Sequence, residues 1–260
     1  MDDNARDIDD ERLAAAIADA VRAIPSRWFR KPLAVDAKAD RSPVTEADRA
    51  IEQIIRARLS EARPEDGVLG EEFGAAMEGR SRVWVVDPID GTGSFITGSP
   101  LFGTLIGLLD GGVPVLGLID MPLLGERWSA RRGAGTTLNG APCRVSGCGR
   151  LADAALGSTS PLKFEGAAEA AFRQVAAAAR ITRFGGDCYT YGLLAAGHLD
   201  AILEVGLEPY DYLPLVPVIE EAGGVITDWR GAPLGFASDG RVLAAATEAL
   251  HAEIMEMLET

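Results

Sequence analysis

The sequence predicts an α/β protein built from two units, and the distribution of apolar residues is the main reason. Apolar side chains recur at helical spacing from about residue 9 to 30 and again from about 45 to 63, which predicts two amphipathic helices covering a sheet. After about residue 145, helix-like and strand-like segments alternate again, with no obvious linker before them. Such alternation is typical of α/β architectures, so we predict an N-terminal unit over residues 1–145 and a C-terminal unit over residues 146–260.

The individual elements follow from local composition, taken in chain order. In the first unit, β-forming residues predict strands at 83–86, 105–109 and 115–119, with Gly111 and Gly112 forming a hairpin turn between the last two. In the second unit we predict strands at 154–157, 181–184 and 201–205 and helices near 166–180 and 188–197. A later helix should run to Ala222; Pro214 suits its first turn, whereas Pro217 should kink or delay it.

Charge and composition narrow the class of protein. With 47% hydrophobic residues among 260, the chain can bury a substantial core. Its formal net charge of −14 argues against nucleic acid or an anionic membrane as a partner. No apolar stretch approaches the roughly 18 residues of a membrane span, and the acidic N-terminus is unlike a secretory signal. We therefore expect a cytoplasmic protein, in which the three cysteines are free thiols.

The most informative segment is the Asp-Pro-Ile-Asp-Gly-Thr motif at residues 87–92, which directly follows the apolar run at 83–86. It places Asp87, Asp90 and the hydroxyl of Thr92 in a turn at the end of a predicted buried strand. Asp, Pro and Gly also build ordinary surface turns, but hard cations such as Mg²⁺ prefer oxygen ligands of this kind. The motif therefore indicates metal-assisted phosphate chemistry.

Three further acidic elements favour a metal site that is assembled by folding. Glu71 follows the short apolar stretch 68–69, Asp211 lies far downstream, and Asp48 lies one turn into a predicted helix capped by Thr45. Separated carboxylates brought together by folding are the usual basis of a multi-metal centre. Bound cations would also supply the local positive charge that an acidic protein needs to bind phosphate.

Spacing excludes several other hydrolase mechanisms. The Cys-x₅-Arg loop of cysteine phosphatases is absent, since no arginine lies at that spacing after Cys143 or Cys188. Asp87 and Asp90 are separated by two residues, unlike the Asp-x-Asp motif of aspartyl-phosphate enzymes. The sequence contains no P-loop motif, so a P-loop nucleotide hydrolase is excluded as well.

Four motifs, taken in order, resemble those of a known family. They are residues 43–48 (Pro-Val-Thr-Glu-Ala-Asp), 70–72 (Gly-Glu-Glu), 87–92, and Tyr-Asp at 210–211 followed by Glu-Ala-Gly-Gly at 221–224. Together they resemble the inositol monophosphatase family of Mg²⁺-dependent, lithium-sensitive phosphatases, from roughly residue 10 to the C-terminus. Within that family, the segments 94–98, 100–105, 125–128 and 186–191 are most similar to those of histidinol-phosphate phosphatases.

The resemblance implies a layered α/β/α/β/α sandwich with a metal site in the crevice between the two units. It implies two or three Mg²⁺ ions per site, with Mn²⁺ as an alternative. The implied ligands are Glu71, Asp87 and the carbonyl of Ile89 for the first ion, and Asp87, Asp90 and Asp211 for the second. Asp48 and Thr92 match the pair that orients and deprotonates the attacking water, with Glu71 assisting. The backbone amides of Gly91, Thr92, Gly93 and Ser94 match phosphate-binding positions at a helix N-terminus.

The same resemblance implies a small phosphomonoester as substrate, and L-histidinol phosphate in particular. Asp187, Tyr189, Tyr191 and Glu204 fall in segments that line the leaving-group side of the pocket in relatives, where negative charge suits an amine and an imidazole. A structural alternative is that Asp187 caps a helix and Glu204 pairs with a surface cation. Histidinol-phosphate phosphatases commonly have a basic residue where this chain has Gly93. This departure leaves inositol 1-phosphate or a nucleotide 3′-phosphate as alternative substrates.

Two broader expectations complete the interpretation. Relatives commonly form dimers, so we predict a homodimer, and the apolar stretches 101–102 and 122–124 belong either to its interface or to the core. A catalytically silent relative that binds phosphate ligands or a partner protein is a remaining alternative, although all side chains of the predicted reaction centre are present. We therefore predict an active, cytoplasmic histidinol-phosphatase of histidine biosynthesis.

Overall fold

The computed structural model describes residues 3–31, 35–37 and 43–258. Its helices are α1 (Asp3–Val21), α2 (Glu46–Ala62), α3 (Thr92–Thr97), α4 (Gly166–Ala178), α5 (Cys188–Ala195), α6 (Pro209–Tyr212), α7 (Leu215–Glu220) and α8 (Glu248–Leu258). Short 3₁₀ turns lie at Pro25–Arg27, Leu151–Asp153 and Pro161–Lys163.

The strands vary in length. They are β1 (Val35–Ala37), β2 (Pro43–Thr45), β3 (Gly67–Gly70), β4 (Gly74–Ala76), β5 (Arg82–Asp90), β6 (Gly103–Asp110), β7 (Val113–Met121), β8 (Glu126–Arg131), β9 (Gly135–Leu138), β10 (Ala141–Cys143), β11 (Ala155–Ser158), β12 (Ile181–Phe184), β13 (Ala201–Glu204), β14 (Val225–Thr227) and β15 (Val242–Ala245). Strands β6 to β10 follow one another without an intervening helix.

Two large sheets organise the described part of the chain, and β1 and β2 pair as a separate two-stranded antiparallel sheet. The first sheet has the strand order β10-β9-β8-β7-β6-β5-β3-β4, and the second has the order β12-β11-β13-β15-β14. In the first sheet β3 runs parallel to β5, and the strands after β5 form an antiparallel meander. In the second sheet β11 runs parallel to both β12 and β13. The two sheets lie on either side of residue 145, where the boundary between the two units stays a prediction.

Successive residues of β5 point to opposite faces of the first sheet and bury both. Trp84 and Val86 pack with α1 and α2 in one apolar cluster, whereas Val83 and Val85 face a second cluster that contains α5 and α7. This period of two is the geometry of a strand. Because both faces are covered, the strand is apolar throughout rather than alternating, which is why the run at 83–86 was readable in the sequence.

The remaining layers follow from two other apolar clusters. The cluster that contains α5 and α7 also includes Ile202 and Ala244, so these helices lie between the two sheets. On the far side of the second sheet, Phe172 of α4 and Ile254 of α8 pack against Leu203. The order is therefore helices, sheet, helices, sheet, helices, and the predicted α/β/α/β/α sandwich is confirmed.

The crevice between the sheets forms where parallel strands end. Glu71 follows β3, Asp87 and Asp90 lie at the end of β5, and Glu204 is the last residue of β13. Ligands in open α/β sheets bind outside the carboxyl ends of the strands. The topology therefore brings the acidic strand ends of both sheets to one place.

Several predicted elements differ in their bounds from those observed. The helix expected over 9–30 begins at Asp3 and ends at Val21, because Pro25 lacks the N–H that its continuation would need. The strand expected at 83–86 extends through the Asp-Pro-Ile-Asp motif to Asp90, with a register shift between Asp87 and Asp90. Strands β8 to β10 and β14 were not predicted, since they are short and mixed in polarity. Strand β15 was not predicted either, although it is apolar and fully buried.

Pro217 lies in the first turn of α7, so the delayed start that was one of the two effects expected of this proline is observed. The helix begins at Leu215 after Pro214 at its N-cap, which makes Pro217 the third helical residue. The first amide groups of any helix have no partner within the helix, so a proline there removes no hydrogen bond. The helix ends at Glu220, two residues before the predicted end.

A buried ionic network fastens α1 to the first sheet at the end of β5 farthest from Asp87. Asp10 is 1% exposed, and it accepts hydrogen bonds from Nε of Arg63 at 2.7 Å and from Nη2 of Arg82. Arg82 also pairs with Asp66 and Asp110. Breaking a buried pair of this kind by removing one partner typically costs several kcal/mol.

The apolar stretches considered for a dimer interface contribute to the core. Phe102 is fully buried and packs edge-on against Phe95, with ring centroids 5.0 Å apart. Leu123 and Leu124 are partly buried and each packs against one of the apolar clusters. The homodimer stays a prediction. Among the helices within the described ranges, none is both long and apolar enough to cross a bilayer.

Candidate functional site

A cavity of about 580 Å³ opens between the two sheets, and acidic side chains dominate its lining. The first sheet contributes Glu71, Asp87 and Asp90, whereas the second half of the chain contributes Asp187, Glu204 and Asp211. These residues are far apart in the sequence. Folding therefore concentrates negative charge in a single crevice.

The carboxylates of Asp87, Asp90 and Asp211 form the centre of this crevice. One oxygen atom from each lies within 4.8 Å of the corresponding atoms of the other two, and the side chain of Glu71 lies against Asp87. Oxygen donors at this separation are the ligand set that hard divalent cations select. The structure thus brings together the four carboxylates predicted to bind metal.

The electrostatics of the cluster also fit a cation. Burial raises the pKa of Asp87 well above its ordinary value, and the neighbouring Glu71, Asp90 and Asp211 carboxylates raise it further. Burial likewise raises the pKa of Asp211 to about 7. Like charges in a shared desolvated site oppose ionisation, and a bound cation reverses that preference. The donor set therefore fits one or more divalent cations.

Local backbone contacts hold each carboxylate in place. Asp87 Oδ1 accepts a hydrogen bond from the amide of Ile89 at 3.0 Å, which stabilises the irregular end of β5. The amide of Cys188 at the start of α5 donates to Asp90 Oδ2 at 2.6 Å. Asp211 lies in the first turn of α6 and accepts from the amide of Glu208 at 2.8 Å. These backbone contacts therefore position the three carboxylates within the fold itself.

Asp48 and Thr92 lie together at the edge of the cluster, as the resemblance implied. Thr92 Oγ1 is 3.5 Å from Asp48 Oδ1 and donates at 3.1 Å to the carbonyl oxygen of Ile89. Asp48 is fully buried and accepts from the Thr45 hydroxyl at 2.5 Å and from the Thr45 amide at 2.9 Å. Burial raises its pKa, Glu71 adds to that rise, and the bonds from Thr45 oppose it.

The predicted cap of α2 is confirmed, and it reveals a second role for Asp48. The Thr45 hydroxyl accepts from the amide of Ala47 at 3.1 Å, while the Asp48 carboxylate reaches back to the Thr45 amide. This reciprocal arrangement is a capping box. The carboxylate that faces Thr92 is therefore held by the start of its own helix.

The segment 91–94 enters α3 at the mouth of the crevice. Gly91, Thr92 and Gly93 line the cavity. Gly91 has φ of 85°, and a Cβ there would lie 2.7 Å from Asp187 Oδ2, so only glycine fits. The side chain of Ser94 turns to Asp187, to whose Oδ2 its hydroxyl donates at 3.0 Å.

Asp187, Tyr191 and Glu204 extend the lining of the crevice beyond the metal-binding carboxylates. Asp187 occupies the N-cap position of α5 but makes no side-chain cap, which excludes the capping alternative. Glu204 is fully buried, and its Oε1 accepts from the amide of Thr159 at 2.5 Å. Its Oε2 and the hydroxyl of Tyr191 are buried and have no hydrogen-bond partner among the residues that the structure describes. Such atoms are costly unless a ligand satisfies them.

Tyr189 is the one predicted pocket residue that the structure turns away from the crevice. Its ring packs edge-on against Trp128, with centroids 5.9 Å apart, and its hydroxyl bonds Glu126. The reason is helical phase: Tyr191 lies one turn after Asp187 and shares its face, whereas Tyr189 is two residues away and faces elsewhere. Its predicted contact with the substrate is therefore not supported.

Several lining residues were not predicted from the sequence, and two of them carry a hydroxyl group and a charged amine. Thr159 and Lys163 both follow β11 and line the crevice. Among the described residues, Lys163 supplies the positive charge of the lining, and it opposes the rise in pKa that burial causes at Asp187, Glu204 and Asp211. The available signal was their position after a strand that runs parallel to its neighbours, where ligand-binding loops of α/β sheets concentrate.

Replacing Glu204 with Gln should stabilise the metal-free protein above pH 7 and change its stability little at pH 5. Burial raises the pKa of Glu204 to about 7, Asp187 adds to the rise, and Thr159 and Lys163 oppose it. The facing Tyr191 stays neutral in this range, because burial raises its pKa well above the ordinary value.

The direction of this change in stability follows from proton linkage. Since the folded-state pKa lies above the unfolded value, the contribution of Glu204 is fully present below the unfolded pKa and is lost as pH rises through about 7. The loss reaches about 3 kcal/mol at most. Urea unfolding of both proteins in EDTA at pH 5, 6, 7 and 8 measures it. A constant difference across this range would contradict the assignment.

Comparisons with known proteins agree with the geometry. The sequence profile of the "Inositol monophosphatase family" matches residues 7–260. The bifunctional phosphatase IMPL2 of Arabidopsis thaliana is 44% identical, with 96% of this chain and 75% of that protein covered. A histidinol-phosphatase of Streptomyces coelicolor is 39% identical, with coverage of 96% and 97%. A solved inositol monophosphatase from Zymomonas mobilis superposes with a TM-score of 0.89 at 45% identity, covering 97% and 98% of the two chains.

Proposed function

The chain belongs to the inositol monophosphatase family, and from this premise we propose that it is a Mg²⁺-dependent phosphatase that hydrolyses L-histidinol phosphate to L-histidinol and phosphate. The convergence of Asp87, Asp90 and Asp211 within 4.8 Å is the observation that carries the metal-dependent reaction. A relative named histidinol-phosphatase that matches along nearly its whole length supports the substrate. The homodimer and the cytoplasmic location stay predictions.

We assign the metal ligands in two groups that share one carboxylate. Glu71, Asp87 and the carbonyl oxygen of Ile89 would hold one ion, and Asp87, Asp90 and Asp211 would hold the second. Bound cations supply Lewis acidity and lower the pKa of a bound water. The protein itself preorganises the ligands, through the amides of Ile89, Cys188 and Glu208 that hold the three aspartates.

The side chains of Asp48 and Thr92 suit the orientation of the attacking water. The single proton of the Thr92 hydroxyl can turn from the Ile89 carbonyl oxygen to Asp48 Oδ1, 3.5 Å away, while a lone pair of the hydroxyl accepts from water. Asp48 is buried and held by Thr45, so it is positioned to receive the proton that the water loses. The water oxygen bonds to phosphorus as the bond from phosphorus to the ester oxygen breaks, and the leaving alcohol takes up a proton.

The part of the lining formed by Asp187, Tyr191 and Glu204 suits a cationic leaving group. L-Histidinol carries a primary amine and an imidazole, and Asp187 and the buried Glu204 present negative charge on that side of the cavity. The unpartnered Glu204 Oε2 and the Tyr191 hydroxyl offer hydrogen bonds there. Opposite charge at short range in a desolvated pocket is strongly favourable when the geometry pairs the groups.

Inositol 1-phosphate is the alternative that a specific observation favours. Gly93 lines the crevice with open space around the position of a Cβ, so no side chain provides the basic group common among histidinol-phosphate phosphatases. The solved Zymomonas mobilis protein, 45% identical, is named as an inositol monophosphatase. The hydroxyl groups of inositol would bond the same Glu204 that an amine would contact.

A substrate comparison with Asp187→Asn distinguishes the two. We expect kcat/KM for L-histidinol phosphate to exceed that for inositol 1-phosphate and adenosine 3′,5′-bisphosphate by about tenfold or more, since each charge-assisted contact contributes about 1.5–3 kcal/mol. Asp187→Asn should reduce the value for histidinol phosphate by about tenfold and that for inositol 1-phosphate by less than about threefold.

Asp153→Asn is the matched control, because Asp153 is an exposed residue that forms a surface ion pair with Arg150. We expect its kinetics to equal those of the wild type. Equal or faster hydrolysis of inositol 1-phosphate by the wild type would instead assign the inositol substrate and leave the metal-dependent mechanism intact.

A further inference from the structure

Glu52 of α2 is a buried carboxylate that lies outside the crevice but contacts the turn that carries Glu71. It is fully buried. Its Oε2 accepts from the amide of Glu72 at 2.7 Å, and its Oε1 accepts from the amide of Phe73 at 3.2 Å. The two backbone groups immediately after Glu71 are therefore held by one side chain.

Gly70 shows how closely this carboxylate approaches the turn. A Cβ at Gly70 would lie 2.0 Å from Glu52 Oε1 and 2.5 Å from its Cδ, so any side chain there would displace the carboxylate from the turn. Gly70 is the last residue of β3 and directly precedes Glu71. Glycine is thus required where the Glu52 carboxylate reaches the backbone.

Arg56 completes the connection between α2 and the turn. Its Nε donates to Glu52 Oε1 at 2.7 Å, and its Nη2 donates to the carbonyl oxygen of Gly74. Glu52 and Arg56 are one helical turn apart, so they share a face of α2. Together they bind the turn at its amides and at its final carbonyl group.

Asp48 lies on the same face of α2, one turn before Glu52. One helix face therefore holds Asp48 near Thr92 and, one turn later, holds the segment that carries Glu71. Asp48 and Glu71 also interact electrostatically, since Glu71 contributes to the raised pKa of Asp48.

We propose that Glu52 is a positioning residue that fixes Glu71 for metal binding by clamping the amides of Glu72 and Phe73. The role of Glu71 as a metal ligand belongs to the proposed function, and this inference rests on it. Glu52 contacts neither substrate nor metal; it acts through the backbone. Groups that orient a ligand in this way typically contribute 10- to 100-fold to metal affinity.

Glu52→Gln tests the proposal with little change in volume. The amide oxygen can accept one of the two backbone N–H groups, but its NH₂ group cannot accept the other, and Arg56 loses its ionic partner. In the metal-free protein, we expect hydrogen exchange at the amides of Glu72 and Phe73 to accelerate by about tenfold or more. Titration calorimetry should show about tenfold weaker Mg²⁺ binding.

Asp10→Asn is the matched control. It also removes the charge of a buried carboxylate that pairs with arginine, but at the other end of β5. It should lower the thermal midpoint while leaving Mg²⁺ affinity within about twofold and exchange at Glu72 and Phe73 unchanged. A loss of stability by itself would thereby be separated from a loss of positioning.

A double-mutant cycle identifies the residue through which Glu52 acts. In a Glu71→Gln background, Glu52→Gln should weaken Mg²⁺ binding by less than about twofold, because the ligand that it positions is already lost. Arg56→Met, at a partly exposed position, provides a second variant that leaves Glu52 itself in place. It should also accelerate hydrogen exchange at these amides and weaken Mg²⁺ binding, each by a smaller factor than Glu52→Gln.

Mg²⁺ affinity within twofold of the wild type in both Glu52→Gln and Arg56→Met would overturn the proposal. An undiminished effect of Glu52→Gln in the Glu71→Gln background would also overturn it. Neither exchange nor calorimetry uses turnover. A failure to hydrolyse histidinol phosphate would therefore overturn the proposed substrate while leaving this test interpretable.

Discussion

Asp87→Asn should abolish phosphatase activity and at the same time make the metal-free protein more stable. Asp87 is the carboxylate shared by the two proposed ion sites, and it lies against Glu71, Asp90 and Asp211. An asparagine side chain keeps the shape but loses the charge that two cations would share. Loss of several kcal/mol of transition-state stabilisation corresponds to about 10³-fold or more in kcat/KM.

The expected gain in stability comes from the repulsion between carboxylates in the metal-free protein. Without cations, the Asp87 carboxylate is desolvated and repelled by its neighbours, which is why its pKa is raised well above the ordinary value. Removing that charge relieves the repulsion at neutral pH. We expect the thermal midpoint in EDTA to rise by about 2–4 °C for each kcal/mol relieved.

Thermal unfolding with and without Mg²⁺ measures both effects. The wild type should be stabilised by Mg²⁺ through linkage, whereas Asp87→Asn should show little or no such shift. Asp228→Asn, which alters a carboxylate that only accepts bonds from its own surface turn, is the control for substitution of an aspartate. An Asp87→Asn protein that retains more than about a tenth of wild-type activity, against the expected 10³-fold loss, would contradict the assignment of Asp87.

Thr92→Val should reduce kcat by about 10²- to 10⁴-fold, whereas Thr92→Ser should retain most of it. Both substitutions keep a small side chain at the start of α3, but only serine keeps the hydroxyl that lies between Ile89 O and Asp48 Oδ1. The test uses Thr92 because Asp48 also belongs to the capping box of α2, whose loss costs about 1 kcal/mol of stability.

Thr97→Val provides the matched control on the same helix. The Thr97 hydroxyl donates to the carbonyl oxygen of Gly93 at 2.8 Å, and its side chain is exposed and outside the crevice. Its removal should leave kcat unchanged. For Thr92→Val, KM and the Mg²⁺ dependence should stay within about threefold of the wild type, since the hydroxyl acts on the water rather than on binding. Equal activity of the Val and Ser variants would exclude the proposed relay.

Much of the fold was readable because its signals are local. The predicted strands at 105–109, 115–119, 181–184 and 201–205 agree with the structure to within two residues at each end. The Thr45 cap of α2 and the Gly111-Gly112 turn are also confirmed. Each depends on a few neighbouring residues, whose period, capping chemistry or turn preference acts over a single element.

The candidate site could be predicted from the sequence only in part. A carboxylate at the end of a strand is a local pattern, whereas its meeting with carboxylates from other parts of the chain is not. Asp87 and Asp90 share one turn, but Asp211 reaches them only because α6 lies between the sheets at the same edge. For that convergence the prediction relied on a resemblance. The place of Lys163 in the lining could not be predicted from the sequence, since a single lysine in a loop is common in any protein.

By itself, the sequence determined the alternation of helices and strands, the acidic strand ends and the family to which the chain belongs. These properties are encoded by residue type at short spacing. Only the tertiary structure decided that Tyr191 faces the crevice while Tyr189 packs on Trp128, and that Glu52 clamps the turn after Glu71. The direction of a side chain depends on how its helix is rotated against the sheet, and that rotation is set by packing between residues far apart in the chain.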